Sequence, residues 1–218
     1  MKRREFSAAS LAGWAATGLT AAGLPQIAAA QGQPQPGKDY VVLSQRQPVA
    51  APAGKIEVVE FFWYGCPHCY RFDPTLEAWL KKIPADVAFR RVHVAFAPPY
   101  QPHQKLFYAL EAMGREPEVH AKVFNAIHQE RLPLNTPEAI ADFLAKFGFE
   151  KSKFLEVYNS FGVATKCQQA SKLGEGYKID GVPTLGVHGR FWTSGSLTSN
   201  MERALAVTDH LIGLARKG

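Results

Sequence analysis

Phe61-Phe62-Trp63-Tyr64-Gly65-Cys66-Pro67-His68-Cys69-Tyr70 places two thiols three positions apart, directly after an apolar, strand-like stretch. A C-x-x-C opening a helix brings both sulfurs within reach of one small disulfide. The first thiol then sits at the helix N-terminus, where free backbone N–H groups and the helix dipole favour a thiolate. Pro67 suits a first helical turn, because the N–H it lacks would have had no partner there. His68 is a protonatable neighbour whose ring can stabilise an adjacent anionic sulfur. A stabilised thiolate stabilises the reduced pair and makes the disulfide a stronger oxidant. The motif therefore points to thiol–disulfide exchange, leaning toward disulfide donation.

Other uses of two close cysteines fit less well. Zinc sites need a second pair or spaced histidines, and Cys167 stands alone about a hundred positions downstream with no ligand at zinc spacing. Haem attachment needs His directly after the second cysteine, and Tyr70 occupies that place. An inert structural disulfide remains as an alternative, although so short a loop staples little.

The N-terminus carries a basic Met1-Lys-Arg-Arg4, an Ala/Leu/Gly stretch and Ala28-Ala29-Ala30. This pattern predicts a secretory signal over residues 1–30, cleaved after Ala30, and not a membrane span, since Pro25 and many small residues interrupt it. Arg3-Arg4-Glu5-Phe6 is compatible with either a twin-arginine or an ordinary signal. Either route leads out of a bacterial cytoplasm, into a compartment where disulfides persist. Cleavage removes three basic residues and one acidic one, lowering the formal charge from +6 to +4. So small an excess, without a basic run, gives no support to nucleic-acid binding.

Periodicity organises the rest. Ile56–Trp63 reads as a buried strand, Thr75–Lys82 as a helix and Val87–Phe96 as a second strand, together a parallel βαβ unit. Gln104–Met113, Glu118–Gln129, Thr136–Phe147 and Lys153–Lys172 have apolar residues at helical steps, with Thr136-Pro137 as a start and Gly148 and Gly174 as stops. Strands return at Thr184–His188 and Arg190–Thr193 around Gly189. Ser199–Glu202 resembles a capping box opening a last helix. The order predicts an α/β thioredoxin fold with an inserted all-helical domain. Residues 31–97 give its first part, after a short disordered linker at Gln31–Gly37; 98–176 the insertion; and 177–218 the second part. The roughly 25 residues before the first strand are expected to be mostly unstructured.

The chain resembles the DsbA family of bacterial periplasmic thiol:disulfide oxidoreductases. Glu60-Phe61-Phe62, Cys66-Pro67-His68-Cys69-Tyr70, Arg91-Val92-His93-Val94 and Gly181-Val182-Pro183-Thr184 carry the likeness, over nearly the whole mature chain. The resemblance implies a redox-active Cys66–Cys69 disulfide with no other cofactor, attacked at Cys66. It implies a cis Pro183 packed against that pair, and a Val182–Thr184 segment that holds extended substrate by strand addition. The implied partners are unfolded exported proteins with free cysteines and a DsbB-like, quinone-linked membrane oxidase; the implied setting is the periplasm, and the simplest state a monomer.

Glu60 lies inside an apolar strand. It is either an edge-strand glutamate facing water or, as in the family, a buried acid that helps move the proton of Cys69. Family members often pair this acid with lysine, whereas Arg91 stands here and is no proton donor. Asp73, where relatives often have glutamate, is expected to add only a favourable charge near a helix start. His93 is expected to be a satisfied strand histidine, and His103, His120 and His128 to lie on the surface of the insertion. Cys167 is expected to be a buried, small apolar residue. Phe62-Trp63-Tyr64 is assigned chiefly to core packing, with a contact surface as the alternative.

Overall fold

The computed structural model describes residues 32–218, so the signal expected at 1–30 lies outside the described residues. β2 (Ile56–Phe62) is buried along its whole length, as its β-branched and aromatic composition requires of a strand covered on both faces. It runs parallel to β3 (Val87–His93) on one side and antiparallel to β4 (Thr184–Val187) on the other. β5 (Phe191–Ser194) extends the sheet beyond β4, and β1 (Val41–Val42) closes it, in the order β1-β5-β4-β2-β3.

β1 corrects the expectation of an unstructured lead-in. Tyr40 is buried against Phe191, Val41 and Val42 pair with Trp192 and Phe191, and Thr193 donates from Oγ1 to the Asp39 carbonyl at 2.7 Å. A two-residue strand between polar stretches is too short to show as period-two alternation. At the β4–β5 turn Gly189 has φ +67°, and a Cβ there would lie 2.2 Å from the Gln47 carbonyl oxygen. Glycine is the residue such a position accepts.

α1 (Pro67–Leu80) follows β2 and begins eight residues earlier than its apolar spacing suggests, running through Pro74. Its buried Phe72 and Leu76 pack on Leu185 of β4 and on Ala204 and Leu205 of α8 (Met201–Ala215). The other face of the sheet meets a helical block: α2 (Gln101–Ala112), α3 (Glu116–His128), α4 (Pro137–Ala145), α5 (Lys151–Tyr158) and α6 (Phe161–Tyr177). Thr136 caps α4 as expected, accepting from the Ala139 N–H at 3.2 Å.

Three boundaries differ from the sequence reading. The helix expected over Lys153–Lys172 is two helices, because Ser160 turns extended and caps a new one by accepting from the Val163 N–H. Gly174 lies inside α6 against Val94, and the helix ends instead at Lys178 in the left-handed conformation. Asn200, not Ser199, caps α8, while Ser199 closes α7 (Gly195–Thr198) at φ +73°. Among the described residues no helix is long and apolar enough to cross a membrane.

Candidate active site

β2 delivers the chain to the N-terminus of α1, and Cys66 is the residue that caps that helix. Its backbone is extended (φ −84°, ψ 117°), its N–H reaches the Trp63 carbonyl at 2.9 Å, and Pro67 occupies the first turn. Gly65 is required by its neighbour, since a Cβ there would lie 2.3 Å from the Trp63 ring. That ring packs against Tyr100, tilted by 33° with centroids 4.0 Å apart, and donates from Nε1 to His103 Nδ1.

The two thiols differ sharply. Cys66, 6 % exposed, has its pKa lowered to about 6. The largest cause is the hydrogen bond from the Cys69 side chain, working against burial; the N–H groups of Cys69 and His68 and the His68 charge add to it. Cys69 is fully buried, and burial first, then Cys66 and the charge of Glu60, push its pKa well up. One sulfur is ready to be an anion and so to leave a mixed disulfide, whereas the other is costly to ionise and needs a proton when it departs.

Val182-Pro183 forms a cis peptide bond, and the Cys66 thiol donates to the Val182 carbonyl at 3.4 Å. Pro183 and Thr184 are buried, and Thr184 donates from Oγ1 to Gly181 O at 2.8 Å. A groove of about 630 Å³ runs past His68, Val182, Pro183 and Thr184 toward Ser196 and Met201. Pro67 and His68 are exposed at its edge. Arg71, which the sequence did not single out, donates from Nη2 to His68 Nδ1 at 2.9 Å.

Glu60 is 2 % exposed on β2, an interior strand flanked by β4 and β3, which excludes the edge-strand alternative. Burial raises its pKa to about 7, against the opposing charge of Arg91, whose Nε donates to it at 3.1 Å. Asp73 is more than a helix-start charge: its Oδ1 accepts from Arg91 Nη2 at 3.1 Å and meets His120 Nε2 at 3.2 Å.

The histidines of the helical block are a second correction. His103 and His120 are buried and His128 half-buried, and all three turn toward the redox site. His103 accepts from Trp63, His120 meets Asp73 and the Tyr64 hydroxyl, and His128 Nε2 donates to the Tyr64 carbonyl at 2.8 Å while stacking on Tyr70. A signal was present: His120, Phe124 and His128 recur at four-residue steps and so share one face of α3. Read singly, each looked like a surface polar residue. His93 accepts from the Tyr64 N–H through Nε2, but its Nδ1 has no hydrogen-bond partner among the described residues. Cys167 is half-buried, with its pKa raised to about 11 by burial. Phe62 and Tyr64 are core residues; Trp63 is partly exposed.

A family model described as a DSBA-like thioredoxin domain matches residues 57–206. The chain is 50 % identical over 192 residues to the thiol:disulfide interchange protein DsbA of Burkholderia cepacia, covering 88 % of this chain and 90 % of that one. It is 48 % identical over 176 residues to the DsbA of Pseudomonas aeruginosa, covering 81 % and 83 %. Its fold superposes on a crystal structure of P. aeruginosa DsbA with a TM-score of 0.79, at 48 % identity and covering 83 % of this chain and 94 % of that one. Against DsbA from Xylella fastidiosa the TM-score is 0.80 at 34 % identity, covering 85 % and 99 %. With this sequence likeness, the thioredoxin sheet and a paired-cysteine site at the head of α1, the chain belongs to the DsbA family of thiol:disulfide oxidoreductases.

Proposed function

We propose that Cys66 is the sulfur through which this oxidoreductase passes its disulfide to proteins that carry free cysteines. A substrate thiolate attacks the Cys66 sulfur of the Cys66–Cys69 disulfide. The S–S bond breaks, its electron pair goes to Cys69, and Cys66 becomes joined to the substrate. A second substrate thiolate attacks the substrate sulfur of that bond and expels Cys66 as a thiolate. The substrate gains a disulfide and the enzyme holds two more electrons.

The asymmetry of the two thiols is the observation that carries this reading. Cys66 leaves well because its anion is stabilised, with Pro67 and His68 shaping that end of the helix. Cys69 must be reprotonated, and Glu60, poised near neutrality and electrostatically coupled to it, is the local proton source and sink. Val182, Pro183 and Thr184 form the substrate-binding wall, with the Val182 carbonyl beside the reacting sulfur. We read residues 98–176 as an insertion between residues 31–97 and 177–218. The setting is the periplasm, reached through the signal at 1–30; the enzyme works as a monomer, and a DsbB-like quinone-linked partner reoxidises it.

A trapping experiment tests the assignment. Cys69→Ser, first converted at Cys66 to its mixed disulfide with glutathione, should release glutathione and accumulate a mixed disulfide with a reduced, unfolded protein that carries a single cysteine. Cys66→Ser treated in the same way should form none and lose all turnover. Mixed disulfide on Cys66→Ser, or turnover retained by it, would refute the role of Cys66.

A further inference from the structure

Beneath the redox pair the ionisable side chains form one connected set across the sheet, α1 and α3. Arg91 serves three carboxylates: Glu60 from Nε at 3.1 Å, Asp73 from Nη2 at 3.1 Å and Glu77 from Nη2 at 2.7 Å. One guanidinium charge cannot neutralise all three. Asp73 is also met by His120 Nε2 at 3.2 Å, and the other ring nitrogen, Nδ1, lies 2.6 Å from Glu116 and 3.1 Å from the Tyr64 hydroxyl. His120 is therefore held between two carboxylates, one per ring nitrogen.

That placement selects a protonation state. An imidazolium offers N–H groups on both nitrogens, whereas neutral imidazole would turn a lone pair toward one carboxylate. Burial opposes the charged ring, but the hydrogen bond to Asp73 and the close carboxylate of Glu116 outweigh it and raise the His120 pKa. Phe62, Tyr64 and Phe124 enclose the ring at 5.1–5.5 Å between centroids, so the charge is poorly screened by water. The charged or titratable groups facing it are Tyr64 from the active-site loop, Asp73 from α1 and Glu116 from its own helix, with His93, Arg91 and Glu60 of the sheet beyond. The Tyr64 phenol stays neutral, since burial pushes its pKa well up.

We infer that His120 is a positioning residue for the inner half of the exchange: by holding Asp73 and Glu116 it decides how much of the Arg91 charge is left for Glu60. The inference rests on the role proposed above for Glu60. His120 touches no reacting atom; it acts on Cys69 through Asp73, Arg91 and Glu60. This gives the helical insertion a chemical part in the reaction of a site carried by the thioredoxin core.

His120→Gln in the full chain keeps a donor for Asp73 and removes the charge. The titration of the Glu60 carboxyl, followed by carbon NMR of labelled glutamate, should shift upward in this variant, because the His120 charge lowers the Glu60 pKa. The inflection that Glu60 contributes to the pH profile of the glutathione equilibrium should move with it. A purely structural role would lower the melting temperature and leave the Glu60 midpoint in place, and an unmoved midpoint in the folded variant overturns the inference. A midpoint that moves while the redox profile does not upholds the coupling and refutes the role of Glu60. Should His120→Gln not fold, the reciprocal experiment decides: coupling works both ways, so Glu60→Gln must lower the His120 pKa read from its ring nitrogens. No shift there is equally fatal.

Discussion

At the scale of single residues, the chemistry turns on the difference between two cysteines separated by two positions. Cys66 is stabilised as an anion chiefly by the Cys69 side chain and the backbone N–H groups of the helix start, with the charge of His68 the least of the causes. Cys69→Ala should therefore raise the Cys66 pKa by more than His68→Ala does, as thiolate absorbance will report. The reverse order would make His68 the principal stabiliser. The same asymmetry fixes how the potential responds to pH. Above about pH 6 the reduced pair carries one thiolate, so reduction takes up one proton for two electrons. The potential should then fall by about 30 mV per pH unit, and by roughly twice that below pH 6. Glu60 adds to this slope to the extent that its own pKa differs between the redox forms.

At the scale of elements, the active-site turn works because β2 is an interior strand and Cys66 is the N-cap of α1. Gly65 is the narrowest point. Gly65→Ala would drive the Trp63 ring off Tyr100 and out of its bond to His103, at a cost of about 1–3 kcal/mol. A denaturation midpoint and tryptophan emission unchanged from the parent would contradict this. The elements themselves were largely legible. Ile56–Phe62 announces itself by composition, and the cysteine pair by spacing. β1 was hidden because two residues show no period, and the α5–α6 break because apolar spacing continues on both sides of Ser160. The site was legible to the same extent. Its local parts, Cys66 through Cys69 and Val182 through Thr184, follow from contiguous motifs. The network around Asp73 did not, because Arg91 and His120 reach it from β3 and α3, and a single sequence carries no record of that convergence.

At the scale of the whole molecule, buried ionisable groups couple stability to pH. Glu60 has its pKa raised from 4.5 to about 7, so between those values the folded chain binds more protons than the unfolded one. Its contribution to stability must fall as pH rises through that window, by about 3 kcal/mol in all, and Glu60→Gln should remove this part of the pH dependence. His120, also raised, contributes stability that is present below pH 6.5 and lost as pH climbs through its folded pKa. Cys66 acts in the opposite direction and only in the reduced enzyme. Its lowered pKa adds stability that is fully present above pH 9 and lost as pH falls through about 6. The melting temperature of the reduced form should therefore gain on that of the oxidised form between pH 5 and pH 8; a constant gap would mean that Cys66 is not selectively stabilised as a thiolate. That stabilisation is what makes the disulfide an oxidant, and DsbA proteins are a standard example of such a pair. The equilibrium of the Cys66–Cys69 pair against glutathione buffers, read by tryptophan fluorescence, tests the account most directly. It predicts a midpoint far more oxidising than the roughly −270 mV of thioredoxin, whereas a midpoint as reducing as thioredoxin's would contradict it and make the protein a reductase.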